Sequence, residues 1–141
     1  MKFRYFKFPI DRPDNFFGNS LLKPIIPVKI INGDKSINYA ALIDSGADFC
    51  IFDAEVGELV GLDIRRGPKI EFGGIQQLKG SIGYIHNIEI DIGGWPHKIK
   101  AVFSYDVAKH GYGILGQRGF FDIFIVKFDL LKEEIELKPR F

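Results

Sequence analysis

The feature that most constrains this chain is a short apolar run, residues 40–43, that leads directly into Asp44, Ser45 and Gly46. A run of this kind predicts a buried strand. A carboxylate at the end of such a strand is costly to bury unless a neighbour hydrogen-bonds it or shares its proton. Ser45 offers a hydroxyl, and Gly46 permits a sharp turn and the close approach of another backbone. The segment therefore predicts a strand that delivers a carboxyl group suited to acid–base chemistry.

The same tripeptide has a second interpretation, because Asp, Ser and Gly are also common turn residues. Residues 113–116, Gly-Ile-Leu-Gly, supply a second landmark far downstream, with two large aliphatic side chains before a glycine. The apolar run before Asp44 and this second segment favour the chemical interpretation over the turn.

Together the two segments resemble the retropepsin-like aspartic proteases, the single-domain family that includes the retroviral proteases. Residues 44–48 match the family's Asp-Thr/Ser-Gly-Ala-Asp/Ser signature, and residues 114–116 match its hydrophobic-hydrophobic-Gly signature. The resemblance covers residues 20–138 and is closest to soluble prokaryotic members, in which Gly-Phe-Phe-Asp, here residues 119–122, often follows the second signature. It implies an all-β fold, a small closed β-barrel or sandwich with one or two short helices.

The resemblance also implies the roles of individual residues. Asp44 would be the catalytic carboxyl group, Ser45 would bond across a dimer, and Gly46 would expose its backbone to substrate. The glycine-rich segment 72–80 resembles the flap that closes over substrate, although an ordinary exposed hairpin loop explains these residues equally well. The substrate-binding residues implied in this way are Ala47, Asp48, Gly73, Gly74, Ile75 and Ile114.

A homodimer follows from the presence of one competent motif in 141 residues. Two carboxyl groups must face each other and share a proton, so that one activates water and the other polarises the peptide carbonyl. Asp91 is not a second catalytic aspartate, because Ile92 lacks the hydroxyl and the glycines after it indicate a turn. The predicted partners are a second copy of the chain, with Asp44 on the two-fold axis, and a peptide or protein substrate.

Composition excludes several other classes of function. Apolar content of 46% indicates a globular chain. The 19 basic and 18 acidic residues nearly cancel and form no cationic stripe, so no nucleic-acid partner is predicted. There is no signal-peptide pattern and no apolar run long enough to span a bilayer. With one cysteine, Cys50, predicted to be buried, a cytoplasmic location and no membrane partner are expected.

No cofactor is expected either. The three histidines have no metal-ligand spacing with each other or with Cys50, and no glycine-rich phosphate loop joins a strand to a helix. The site is therefore predicted to work with protein groups and water alone.

The periodicity of the chain predicts mainly strands. Residues 1–20 are expected to form an irregular N-terminal arm, and residues 21–141 a single domain. Strands are predicted over 25–31, 36–43, 68–72, 80–92 and 97–104, helices over 53–61 and 117–124, and a closing hairpin over 124–137.

Three functions are compatible with the sequence: an active homodimeric aspartic endopeptidase, a catalytically silent peptide-binding module of the same fold, and a structural all-β subunit. The intact Asp44, Ser45 and Gly46 favour the first over the second. The two spaced signatures disfavour the third.

Overall fold

The computed structural model describes residues 1–14, 18–73 and 80–141, and for residues 11–14 and 108–110 it describes the backbone alone. Most of these residues lie in strands. The strands are β1 (Lys2–Arg4), β2 (Phe6–Asp14), β3 (Gly18–Lys23), β4 (Ile25–Asn32), β5 (Lys35–Ile43), β6 (Ile51–Asp53), β7 (Lys69–Phe72), β8 (Ser81–Ile92), β9 (Trp95–Ser104), β10 (Gly113–Leu115), β11 (Phe124–Asp129) and β12 (Glu134–Pro139). Helix α1 spans Ala54–Leu59, and 3-10 helices span Ile64–Arg66 and Tyr105–His110.

The main sheet has seven strands in the order β4-β5-β10-β6-β9-β8-β7. A further antiparallel pairing of β4 with β8, from Lys29↔Asp91 to Ile31↔Glu89, brings the first strand back to the far side of the sheet. The sheet therefore closes on itself through β4, while β7 stays outside the ring. The predicted all-β class is confirmed, although two smaller sheets, β1-β12-β11 and β2-β3, lie beside this barrel.

Strand β10 lies between two strands that follow each other along the chain. It pairs parallel with β5, with Leu115 opposite Ile43, and antiparallel with β6, with Ile114 opposite Ile51. The loop from β5 to β6 must therefore pass around the end of β10. This arrangement brings the two sequence signatures together.

Local signals placed several elements correctly. Strands β4 and β5 form the predicted hairpin around Gly33, whose φ of 63° suits a tight two-residue turn. The Asp53 carboxylate accepts a hydrogen bond from the Glu55 amide at 2.9 Å and so caps helix α1, as expected. Gly61, with φ of 86°, follows the end of the helix.

The core lies between the barrel and the closing hairpin, and it contains aliphatic residues and phenylalanines. Its largest fully buried side chains include Phe52, Phe103, Phe120 and Phe124. The rings of Phe120 and Phe124 lie 5.4 Å apart, which joins the segment after β10 to strand β11. Cys50 is completely buried in this core, as predicted. Among the described residues, no helix is long and apolar enough to cross a membrane.

The N-terminal residues correct the expectation of an irregular arm. Strand β1 pairs with β12, and the Met1 amine donates to the Leu137 carbonyl at 3.0 Å. Strands β2 and β3 form a separate antiparallel ribbon. Pro9 and Pro13 fit there because β2 pairs on one edge only within the described chain. The division into residues 1–20 and 21–141 stays a prediction.

The predicted helix over residues 117–124 is wrong. Turns replace it, with hydrogen bonds from the Phe121 amide to the Gly116 carbonyl at 3.3 Å and from the Asp122 amide to the Gln117 carbonyl at 3.0 Å. Gly119 has a φ of 99°, outside the helical region. The spacing of the apolar residues in this segment places Phe120 and Phe124 in the core. It does not reflect a helix.

Candidate active site

Asp44 lies immediately after strand β5, at the start of the loop that leads to β6. Its amide donates to the Leu115 carbonyl at 3.0 Å, which extends the pairing of β5 with β10 by one residue. Its side-chain Oδ1 accepts a hydrogen bond from the Gly46 amide at 2.9 Å, and its carbonyl accepts from the Ala47 amide at 3.2 Å. The loop therefore turns sharply around a half-buried carboxylate whose orientation is held by the backbone.

Gly116, the last residue of the second signature, packs directly against this loop. A Cβ atom at Gly116 would lie 2.3 Å from the Phe49 carbonyl oxygen and 2.8 Å from the Ala47 carbonyl oxygen. Both are backbone atoms, so they have little freedom to move away. Glycine is required here because the β10 turn and the Asp44 loop touch through their main chains.

Gln117 hydrogen-bonds to the same loop through both its side chain and its main chain. Its side-chain Nε2 donates to the Ser45 carbonyl at 3.0 Å, and its amide donates to the Ala47 carbonyl at 2.8 Å. Sequence reasoning did not predict this role. The signal was present, since glutamine stands directly after the second signature, where the retroviral proteases that this chain resembles have an arginine.

The exposed side of the loop carries Ser45, Gly46 and Asp48, with Ala47 partly buried. Within the described ranges the Ser45 hydroxyl makes no hydrogen bond, and Asp48 forms no ion pair. Arg118 also forms no ion pair there; its amide donates to the Asp48 carbonyl at 3.0 Å instead. The structure thus places residues 44–48 together and leaves the side chains of Ser45 and Asp48 open to solvent.

A small apolar surface adjoins the loop. Phe49 of the loop meets Phe72 at the end of β7 edge to face, with ring centroids 6.1 Å apart. Ile114 packs with them against buried Ile51 and Val102. These partly buried side chains connect the Asp44 loop with the β7–β8 hairpin, and they offer apolar contact area beside the carboxylate.

The segment predicted as the flap joins β7 to β8, which pair antiparallel, and Gly73 follows β7 with a φ of 76°. Gly74 and Ile75, two of the predicted substrate-binding residues, lie outside the described residues. The base of the hairpin is held by two residues that sequence reasoning missed. The Ser104 hydroxyl donates to the Ile82 carbonyl at 2.6 Å, and the Asp106 carboxylate accepts from the Ile82 amide at 3.0 Å.

The other groups considered for chemistry are Cys50, Asp91 and clusters of metal-ligating side chains. Burial raises the pKa of the Cys50 thiol to about 12, so this thiol is not a nucleophile. The Asp91 carboxylate accepts from the Gly94 amide at 2.8 Å, which confirms its role in a turn. Across the described residues, no group of three or more His, Cys, Asp or Glu side chains could hold a metal.

A cavity of about 630 Å³ lies away from the loop, between the ends of β4 and the middle of β8 and β9. Its lining includes Asn32, Asn87 and Lys100, and none of the residues 44–48. The described residues that line it include no pair of carboxylates and no nucleophile–base pair. The Asp44 loop therefore remains the candidate site.

His97 is expected to make the stability of the fold depend on pH. Its Nε2 is buried without a hydrogen-bond partner in the described part of the chain, and its ring packs on Phe124. Burial lowers its pKa from 6.5, although Asp122, Asp91 and Glu89 oppose this shift. As the pH falls below 6.5, the unfolded chain binds this proton more readily than the folded chain, so stability is lost.

We expect His97→Phe to flatten the decline in the free energy of unfolding below pH 6.5, by less than about 1 kcal/mol because the ring is only partly buried. Urea unfolding of both proteins between pH 5 and pH 7.5 measures this difference. Parallel pH profiles would contradict the role assigned to His97.

Comparison with known proteins supports the assignment of the fold. No protein-family model matches the chain, and no curated protein matches it. Among solved structures, the retropepsin-like aspartic protease from Rickettsia conorii matches with a TM-score of 0.60 and 15% identity, over 97% of this chain and 89% of its own. EIAV protease in complex with the inhibitor HBY-793 matches with a TM-score of 0.50 and 17% identity, over 75% of this chain and 88% of its own.

The chain therefore has the fold of the retropepsin-like aspartic proteases, as the two signatures predicted. Its structural neighbours include a retroviral protease and a bacterial protease of that class. At these identities the likeness shows the fold, whereas activity depends on the residues of the site itself.

Proposed function

We propose that this protein is a homodimeric aspartic endopeptidase whose catalytic dyad consists of Asp44 from two copies. The observation that carries the proposal is the arrangement around Asp44 itself. A half-buried carboxylate at the end of a core strand is fixed by the Gly46 amide at 2.9 Å, beside an exposed hydroxyl and an apolar surface. The retropepsin-like fold of the chain supports the same function.

The proposed reaction needs both carboxyl groups in different protonation states. Two carboxyl groups held close together cannot both ionise, so the pair retains one proton. The ionised Asp44 takes a proton from water, which attacks the peptide carbonyl. The protonated Asp44 of the other copy donates a hydrogen bond to the oxygen on which negative charge develops. Proton transfer to the leaving nitrogen then completes hydrolysis.

The exposed residues have matching tasks in this proposal. Gly46 presents its backbone to an extended peptide, and Ala47 and Asp48 line the adjacent positions. Phe49, Phe72 and Ile114 provide the apolar contact area for substrate side chains. In this proposal Gly73, Gly74 and Ile75 contact the substrate, and the segment between β7 and β8 has the flap's task of excluding water. A peptide added as a strand between loop and hairpin would gain main-chain hydrogen bonds.

Cleavage of an unbiased peptide library by the full chain between about pH 4 and pH 7 tests the proposal, since proton-sharing carboxyl pairs titrate in and around this range. We expect cleavage by the wild-type protein and a rate about 10²–10⁴-fold lower for Asp44→Asn. Cleavage by the variant at the wild-type rate would overturn the aspartic mechanism. Specific peptide binding without cleavage by a folded dimer would identify the protein as a binding module instead.

Gln117 is expected to act as a positioning residue for this reaction. Gln117→Glu keeps the size of the side chain but removes its donor to the Ser45 carbonyl, a bond of 3.0 Å. Because that bond is exposed, we expect a loss of stability of no more than about 1 kcal/mol. Misplacing the loop should nevertheless lower kcat about tenfold, with a smaller change in KM.

Steady-state kinetics of Gln117→Glu and Gln117→His, with thermal unfolding of both, measure this effect. The histidine can still donate a hydrogen bond, so partial recovery of kcat is expected. Loss of kcat in proportion to the loss of folded protein would show that Gln117 is merely structural.

A further inference from the structure

Strand β8 extends beyond the end of its partner β9. Their pairing stops at Tyr84↔Phe103, because β9 ends at Ser104 and the chain then turns into a 3-10 helix. Ile82 lies two residues beyond that last pair on β8. The Ser104 hydroxyl donates to its carbonyl at 2.6 Å, and the Asp106 carboxylate accepts from its amide at 3.0 Å. Two side chains therefore bind the main chain of β8 where no strand of β9 remains to do so.

We propose that Ser104 and Asp106 are positioning residues, which fix this end of β8 and thereby hold a nearby apolar surface in place for substrate. The apolar surface consists of Phe49, Phe72 and Ile114, which pack on one cluster of buried residues. The inference rests on the proposed function, in which the apolar surface contacts side chains of the peptide. Ser104 and Asp106 themselves are assigned no contact with the peptide.

The connection from Ile82 to the apolar surface runs through strand β7. Ile82 pairs with Glu71, and the next pair along the two strands is Phe72↔Ser81. The Phe72 ring meets the Phe49 ring edge to face, with centroids 6.1 Å apart. Because paired strands are joined by regular main-chain hydrogen bonds, a shift of β8 at Ile82 would move Phe72 relative to Phe49.

Phe72 also packs directly on β8. A Cβ atom at Gly83 would lie 3.1 Å from a carbon of the Phe72 ring and 2.3 Å from Cγ1 of Val102. The ring therefore lies against the main chain of β8, one residue from Ile82. Its position depends on where that strand is held.

Ser104 is well suited to hold a strand. It is fully buried, and a buried hydroxyl is costly unless it is hydrogen-bonded. Its Oγ donates to the Ile82 carbonyl and also accepts a hydrogen bond from the Asp106 amide at 3.1 Å. One hydroxyl thus joins β8 to the start of the 3-10 helix and fixes the residue that bonds the other main-chain group of Ile82.

The 3-10 helix that contains Asp106 is anchored on two sides. The Tyr105 hydroxyl donates to the Glu58 carboxylate of helix α1, and the Arg65 guanidinium lies over the Tyr105 ring, 4.6 Å from its centroid. Val107 is buried in the cluster on which the apolar surface packs. The neighbours of Asp106 on both sides are therefore held, so its carboxylate is directed at β8 before any substrate binds.

Asp106→Ala tests the proposal, because Asp106 is exposed and its truncation leaves the core unchanged. We expect KM for a peptide that the wild-type chain cleaves to rise about tenfold, and kcat to change by less than about threefold, since a displaced binding surface weakens substrate binding. Asp106→Asn keeps an acceptor oxygen for the Ile82 amide, so it should recover most of the loss.

Asp91→Ala is the matched control. The Asp91 carboxylate also accepts from a main-chain amide, that of Gly94 at 2.8 Å, and it lies at the other end of β8. Both bonds are exposed. We expect Asp91→Ala to keep the wild-type KM and kcat. An equal rise in KM for Asp91→Ala and Asp106→Ala would overturn the proposal, because it would reflect general loosening of the strand.

A measurement without substrate follows the same contacts. NMR of the full chain gives the hydrogen-exchange rate of the Ile82 amide and the nuclear Overhauser effects between the Phe49 and Phe72 rings. In Asp106→Ala we expect exchange at Ile82 to be at least about tenfold faster, because a local opening there becomes easier. We also expect the ring-to-ring effects to weaken. Effects of wild-type intensity would overturn the proposal.

Ser104 and Asp106 are expected to act as one unit. Ser104→Ala removes the acceptor of the Asp106 amide as well as the donor to the Ile82 carbonyl. The double variant should therefore have a KM no higher than the worse single variant. Additive rises in KM would contradict a shared role. Because Ser104 is buried and its loss has a risk of misfolding, the two Asp106 variants decide the proposal by themselves.

These results are distinct from a failure of the proposed function. If the wild-type chain cleaves peptides and Asp106→Ala does so with the wild-type KM, the positioning role is wrong and the protease proposal stands. If the wild-type chain cleaves no peptide but the contact between Phe49 and Phe72 weakens in Asp106→Ala, the control of the apolar surface stands and the protease proposal fails.

Discussion

Mixing the wild-type chain with the Asp44→Asn chain is expected to lower peptide cleavage as the square of the wild-type fraction. The reason is that each active site in the proposed mechanism needs Asp44 from both copies. At equal amounts, about one quarter of randomly assembled dimers carry two intact aspartates, whereas a mechanism within one chain would retain about half of the activity. The Asp44→Asn homodimer itself should lose about 10²–10⁴-fold in kcat, the usual contribution of general acid–base catalysis.

The measurement is the cleavage rate at constant total protein after co-refolding, with the mixed dimers counted by native mass spectrometry. Asp34→Asn is the matched control, because Asp34 is exposed in the turn before β5, at the opposite end of the strand from Asp44. Its mixtures should keep full activity. A linear decline with Asp44→Asn would contradict the shared dyad while leaving the importance of Asp44 intact.

Replacing Gly116 with alanine is expected to destabilise the fold by about 3 kcal/mol and to lower Tm by roughly 10 °C. The added Cβ would lie 2.3 Å from the Phe49 carbonyl oxygen and 2.6 Å from the Phe49 carbonyl carbon. Relief requires the Asp44 loop and the β10 turn to move apart. That movement breaks the hydrogen bond from the Gln117 amide to Ala47, which measures 2.8 Å.

Urea and thermal unfolding of Gly116→Ala measure this loss. Gly33→Asn is a suitable control, because no atom lies within 4 Å of a Cβ at Gly33 and asparagine tolerates its φ of 63°. We expect that control to unfold within about 0.5 kcal/mol of the wild type. A Gly116→Ala protein of similar stability would show that the two backbones are not packed as tightly as the structure indicates.

The candidate site could be predicted from sequence to the extent that it depends on a contiguous segment. Asp44 follows an apolar run at the end of β5, and the structure buries Ala41 and Ile43 of that run in the core. Helix α1 and the turn at Gly33 followed from local capping and turn chemistry, which act over a few residues. The two signatures predicted the fold that comparison with solved structures shows.

Residues 117–124 show where local pattern fails. Their apolar residues recur at helical spacing, yet Gly119 adopts a φ of 99° and the segment forms turns. Phe120 and Phe124 are both fully buried, and the core determines their placement. Tertiary packing thus decided the conformation, because the burial of two phenylalanines stabilises the chain more than one short helix would.

The N-terminal strand is a second case. Lys2 pairs with Glu136, and β1 completes a sheet with the end of the chain. Residues 1–20 contain no local signal for this pairing, because its partner is almost the whole chain away. The pairing of such a strand with a segment distant in sequence can be recognised only in the folded chain, where the two strands lie side by side.

Short-range signals in the sequence were enough to predict the β-rich class, the strand that ends at Asp44 and the identity of the loop residues. The reason is that hydrophobic periodicity, capping and turn chemistry act over short distances along the chain. Three features required the folded chain: β10 lies between β5 and β6, Gly116 touches the loop, and Gln117 holds Ser45 across 72 residues of chain. Those contacts depend on the register of non-adjacent strands, which is set by how all the buried faces fit together.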